Sequence, residues 1–276
     1  MILATLLACA RAPEPGNPEF NDAIHQAFVG FDDPEVELAF ALRELERNID
    51  ANIDPTAKSS NDRALAPDPL TADDIANLEH PSRDPEACIP VALVGLSAFP
   101  PEDAAAIQML EDQTAVEPYS PNYFERSFLT GGDCWEDRGC DRMNTFNDLV
   151  KENFLMEVET AFLKDFRWVD MNLPDPADVP VGEEPTNPGE PRWAFVGRSW
   201  QTDSFDGKDG KSTLWQSYTI ETWIPRDGGT LRLLALWSET DLGISISDDV
   251  VAGTTRAGID DNYKAQEKWL EEHFGR

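Results

Sequence analysis

The chain has 276 residues, 41% of them hydrophobic, enough to bury the core of one large domain or of one domain with a helical appendage. Its 53 Asp and Glu against 22 Lys and Arg give a formal charge of −31, which repels phosphate backbones and anionic headgroups and so disfavours nucleic acid and lipid surfaces as partners. No run of about 18 apolar residues offers a membrane-spanning helix, and no period of solenoid or propeller length recurs.

The chain opens "MILATLLACARAPEPGNPEF": eight apolar or small residues run into Cys9, and a polar segment with three prolines follows. Leu6-Leu7-Ala8-Cys9 resembles the lipobox at which bacterial lipoproteins are cut and their cysteine is acylated. That resemblance implies a partial signal peptide over 1–8, a lipid on Cys9 and a tether over 9–17. Several acyl chains would anchor a folded body stably where one would not. Leu7 is a less usual residue before the small one, and no Lys or Arg precedes the apolar run, so part of the signal is expected upstream of Met1. Ala10, where Asp would retain a lipoprotein, implies sorting to the outer membrane.

Helices are expected first. Asn17 and Pro18 start one at "NPEFNDAIHQAFVGF". Asp33 as cap and Pro34 at the first helical position start a stronger one, with Val36, Phe40, Leu42, Leu45 and Ile49 at helical spacing. "TADDIANLEH" reads as a third, with Thr71 and Asp74 as a near capping box. Residues 18–80 are therefore expected to form a helical N-terminal subdomain.

The texture changes at Ile89. "IPVALVGLSAF" predicts a buried strand and "PPEDAAAIQMLED" a helix. "YFERSFLT" predicts a short strand. "GGDCWEDRGCDR" places Cys134 and Cys140 in a glycine-bearing segment that can curl, so a disulfide between them is expected, although Cys88 could compete for either partner. "NDLVKEN" is expected to be a helical turn. Phe154, Met156, Val158, Thr160, Phe162, Phe166 and Trp168 then fall at even positions, a period of two that predicts a strand bent near Lys164, with a helix over "DLVKENFLMEVETAFL" as the alternative. Residues 171–191, rich in proline and acids, predict an exposed loop or disordered insertion. "RWAFVGRSWQT", "TLWQSYTIETWI" and "GTLRLLALW" predict strands, the last two joined as a hairpin through Asp227-Gly228-Gly229. A helix from Asp248 to Phe274, capped by Ser247, completes the order.

Segregated helices, an antiparallel run and a long C-terminal helix mean an α+β fold. In element order, residues 89–276 resemble the helix-grip fold of lipid-transfer and cyclase-like proteins, in which a curved sheet wraps a terminal helix around a cavity. The resemblance brings no functional residue with it.

Catalytic signatures are missing. Gly95-Leu96-Ser97 and Gly197-Arg198-Ser199 both fail a nucleophile elbow at its final glycine, and no phosphate loop, dinucleotide fingerprint or H-E-x-x-H occurs. His25, His80 and His273 are scattered, and the cysteine spacing does not suit zinc. "DANIDP" begins like a calcium loop, but Pro55 stands at the required glycine, and Asp203, Asp206 and Asp209 lack alternate-position spacing. The eight tryptophans are explained by core packing more readily than by a sugar platform. No catalytic residue, metal or cofactor is expected. The first expectation is a lipid-anchored, outer-membrane protein acting as a non-catalytic binding or structural module, its only stated contact with a membrane being the anchor. The second is a carrier of small hydrophobic ligands, or a cyclase-like enzyme, with a cavity between sheet and terminal helix lined by residues such as Phe162, Tyr218 and Leu233.

Overall fold

The computed structural model describes residues 12–153, 156–187 and 189–275. Cys9 with its lipobox, and Phe154, lie outside the described residues. Among the described residues four α-helices, α1 (Pro18–Val29), α2 (Glu35–Asn52), α3 (Pro101–Gln108) and α4 (Asp248–Phe274), accompany a ten-stranded sheet. Its strands are β1 (Glu14–Pro15), β2 (Ala64–Ala66), β3 (Ile89–Ser97), β4 (Asn122–Thr130), β5 (Arg142–Glu152), β6 (Glu157–Asp170), β7 (Trp193–Gln201), β8 (Phe205–Asp206), β9 (Thr213–Arg226) and β10 (Gly229–Asp241). They run in the order β1-β2-β3-β10-β9-β7-β6-β5-β4, with β8 beside β9, and every pairing is antiparallel except β1 with β2. The fold is thus α+β, a mainly antiparallel sheet with a long helix at its C-terminal end, as expected.

The sheet buries both faces because its central strands alternate two apolar sets. One face carries Ala92, Val94, Val196, Tyr218, Ile220, Leu233, Ala235 and Trp237, packed against Phe20, Ile24, Phe28, Leu38, Leu42 and Leu45 of α1 and α2. This is the back face. The N-terminal helices therefore form a layer on the sheet and share its core. The front face carries α3 and α4 and holds the aromatic cluster of Trp135, Phe166, Trp168, Phe195 and Trp223. Edge and tilted ring contacts at 5.3–5.6 Å link these residues, and Phe195 stacks on Trp223 at 5.5 Å. Core packing accounts for five of the eight tryptophans: Trp135, Trp168, Trp200, Trp223 and Trp237 are buried.

Local chemistry explains the ends of the elements. Asn17 Oδ1 accepts from the Phe20 amide at 2.8 Å and caps α1. At α2 the capping position belongs to Pro34 rather than Asp33, and no side chain caps it. Ser247 precedes α4 with an extended backbone, but its side chain accepts no capping bond. Asp227-Gly228 turns β9 into β10, with Gly228 at φ +85°, where a side chain would be strained.

Two sequence expectations are corrected. "TADDIANLEH" forms only turns; Asp74 Oδ2 accepts from the Thr71 amide at 2.6 Å, so half of the box forms without a helix behind it. "NDLVKEN" is not helical but ends β5, because Phe146, Asp148 and Val150 pair with β6 or β4 in sequence. β6 pairs without a register break through Lys164, so the lysine stays in line and points with Phe162 and Phe166 to the front. The 171–191 loop is largely exposed but anchored at its base, where Arg43 donates to the carbonyls of Met171 and Leu173 at 2.9 and 2.8 Å.

Cys134 and Cys140 form a disulfide with Cα atoms 5.4 Å apart. It closes a short loop that holds Trp135 inside the aromatic cluster. Replacing both cysteines by serine is expected to cost about 2 kcal/mol through the loop entropy returned to the unfolded chain. Equilibrium urea unfolding checks the figure, and a red shift of tryptophan emission before global unfolding would report release of Trp135.

Candidate ligand cavity

A cavity of about 580 Å³ lies on the front face between the sheet and α4. This is within the range of small-molecule sites, about 300–1,000 Å³. α4 packs against β3, and residues along it from Val250 to Gln266 line the cavity. Ala252, Ile259 and Tyr263 pack with Val91 and Leu93 of β3, and the Tyr263 hydroxyl donates to the Leu93 carbonyl at 2.9 Å. Gly95 permits this approach, since a Cβ there would lie 2.8 Å from the Tyr263 ring. The aromatic cluster fills the front face beside it. The first turns of α4 contribute Val250, Val251 and Thr254 to the cavity wall.

The walls are mixed. Leu149, Val158, Phe162, Leu214, Leu234 and Leu236 supply apolar surface, and Ser199, Ser217, Thr219 and Ser238 supply hydroxyls. A charged patch interrupts them. Glu117, from the turns before β4, receives Lys151 Nζ at 2.8 Å on one oxygen and Lys164 Nζ at 3.1 Å on the other. Ser120 and Tyr123 donate to the first oxygen at 2.8 and 3.0 Å. Burial alone would raise the Glu117 carboxyl, but the two ammonium groups overcome it and hold the carboxyl well below the usual range. Burial pulls the Lys164 ammonium below its ordinary value, against the attraction of Glu117.

Glu221 lies on β9 close enough to feel both Lys164 and Glu117, and burial raises its pKa. One of its oxygens accepts from Trp223 Nε1 at 2.7 Å and stands 3.9 Å from Arg232 Nη2. Arg232 is sandwiched between the Trp223 and Tyr263 rings, 3.7 and 4.0 Å from their centroids, and hydrogen-bonds Gln266. The patch is thus held by the aromatic cluster on one side and α4 on the other.

Of the residues expected to line a cavity, Phe162 does so. Tyr218 and Leu233 do not: both point to the back face and pack against α1 and α2. Their neighbours Thr219 and Leu234 line the cavity instead, one residue out of phase. Cys88 is buried at the back face with a free thiol that burial pushes up to about 12. It takes no part in the disulfide. In the folded protein Cys88 should therefore resist iodoacetamide at pH 8, and it should take up the label once the chain is unfolded, as peptide mass mapping of Cys88 would show. Among the described residues, no group of three His, Cys, Asp or Glu is placed to hold a metal ion.

No protein-family model matches the chain, and no curated protein does so either. Solved structures do match. Human StAR-related lipid transfer protein 5 is 10% identical, with 68% of this chain and 77% of that one covered and a TM-score of 0.37. Human STARD10 is 12% identical over 67% of each chain, with a TM-score of 0.35. Ara h 8.0201 is 11% identical, with 67% of this chain and 99% of that one covered and a TM-score of 0.36.

Proposed function

We propose that the protein binds a small amphipathic molecule in the cavity beneath α4 and serves as its carrier. The observation that carries this reading is the cavity itself: apolar side chains from five elements line space that the surrounding core leaves unfilled, beside a charged patch built into the same wall. A filled core would have closed this gap, because unfilled apolar space costs stability. The patch gives a bound molecule an orientation, with its tail along Leu149, Phe162 and Leu236 and its head near Lys164 and Glu221.

Native mass spectrometry of the protein purified from its own host tests this directly, the expected result being a co-purifying small molecule released on denaturation. Binding of an added single-chain amphiphile should fall at least ten-fold in the double variant Leu234→Trp, Leu236→Trp, whose two bulky side chains would project into the cavity from β10. Retention of full affinity in that variant would sink the reading.

The N-terminal pattern suggests where such a carrier works. With Cys9 acylated, it would be held at the envelope on a tether. Support for this is the Leu6-Leu7-Ala8-Cys9 pattern and the polar segment after it. Labelling of cells with a clickable palmitate analogue is expected to mark the wild type and not Cys9→Ser.

A further inference from the structure

In the cavity wall Glu117 is shared by two ammonium groups, Lys151 and Lys164, so this group of three side chains carries a positive excess. Arg126, Lys151, Lys164 and Arg232 form one electrostatic neighbourhood with Glu117 and Glu221. Other charges of the wall have partners outside this group: Arg198 pairs with Asp32 and Asp165, and Asp261 with Lys264. The excess favours an anionic occupant, because Lys164, only 16% exposed, cannot easily turn to water for the rest of its counter-charge. It is the more telling in a chain whose formal charge is −31.

The donors are also incompletely used. Lys164 has three N–H groups, and among the described residues its ammonium has one acceptor, Glu117. It lines the cavity, so its other donors have room for an acceptor there. Glu221 directs one oxygen to Trp223; its second oxygen makes no hydrogen bond among the described residues. A Glu221 carboxyl that keeps its proton can donate from that oxygen. The amphiphile's head must therefore accept from an ammonium, tolerate a carboxyl beside it and bring negative charge. An ammonium head would meet Lys164 as a like charge. A hydroxyl could bond both groups but would leave the excess in place.

On the reading of the cavity as a carrier site, we infer that the head of the ligand is a carboxylate, held by Lys164 with Glu221 beside it, so that the protein selects single-chain carboxylic acids over the alcohols and amines of the same length.

The test compares dodecanoate, dodecanol and dodecylamine by isothermal titration calorimetry at pH 7.5, each below its aggregation concentration. Dodecanoate is expected to bind at least ten-fold more tightly than either of the others. Lys164→Met should reduce that preference to less than two-fold, and Lys164→Arg should keep most of it. Circular dichroism of each variant confirms folding, and the wild-type comparison stands without them. Equal affinity for all three, or preference for the amine, would overturn the carboxylate assignment while leaving the carrier reading intact. Failure of all three to bind would overturn both. A preference that survives Lys164→Met would remove Lys164 from the assignment.

Discussion

Glu117→Gln is expected to lower folding stability by about 3–5 kcal/mol, the cost of leaving buried charge without its partner. The carboxylate is the shared counter-ion of Lys151 and Lys164 and the acceptor for Ser120 and Tyr123. Lys151 is a third exposed and can turn toward water, whereas Lys164, 16% exposed, cannot do so as readily. The cost should therefore fall near the lower end of that range. It should also depend on pH. The carboxyl is held below its ordinary 4.5 in the folded chain, so its contribution is complete above about pH 4.5 and is lost as pH falls toward the depressed folded value. Urea unfolding at pH 7 and at successively lower pH is expected to show wild type and variant converging in acid. A gap that stays constant below pH 4 would contradict the assignment of Glu117 as the ionised centre of the patch.

Trp223→Ala is expected to cost about 3–5 kcal/mol and to disturb the charged patch at the same time. The indole is fully buried, stacks on Phe195 and covers the Arg232 guanidinium. Its Nε1 is also the donor that holds Glu221. Trp223→Phe keeps most of the volume and the stack but removes the donor. It should therefore recover much of the stability while leaving Glu221 without that bond. If the two variants are equally unstable by thermal unfolding, packing at this position is not what the indole supplies.

The sequence made the architecture legible because hydrophobic period and end signals agreed over most elements. The C-terminal helix is found from Asp248 to Phe274, and the β9–β10 hairpin turns at Asp227-Gly228. "NDLVKEN" misled because a short mixed segment carries no clear period, and pairing with two neighbours decided its state. "TADDIANLEH" has start chemistry but too little apolar face to repay helix formation by packing.

The cavity was harder to read for a physical reason. On β9 and β10 the more apolar alternate set, Tyr218, Ile220, Leu233 and Ala235, belongs to the dry back face. The set that faces the cavity includes Ser217, Thr219 and Glu221 beside Leu234 and Leu236. Amphipathicity therefore points away from the cavity wall, to the face that Tyr218 and Leu233 share. One signal was present: Lys164 stands in the inward series between Phe162 and Phe166. A lysine in phase with a buried face marks a place where the interior is not simply core. Glu117 gave no such signal, since turns before β4 bring it to the patch.

The helix that roofs the cavity follows every strand in the chain. During synthesis the back face can receive α1 and α2 as soon as the strands assemble, because those helices are already made. The part of the front face that lines the cavity has no helix over it until residues 248–274 emerge. For that interval Leu234, Leu236 and Phe162 form an open apolar surface, the kind that draws incomplete chains together. A molecule that settles there early would shield the surface and be enclosed when the roof docks, so loading and the final folding step would be one event.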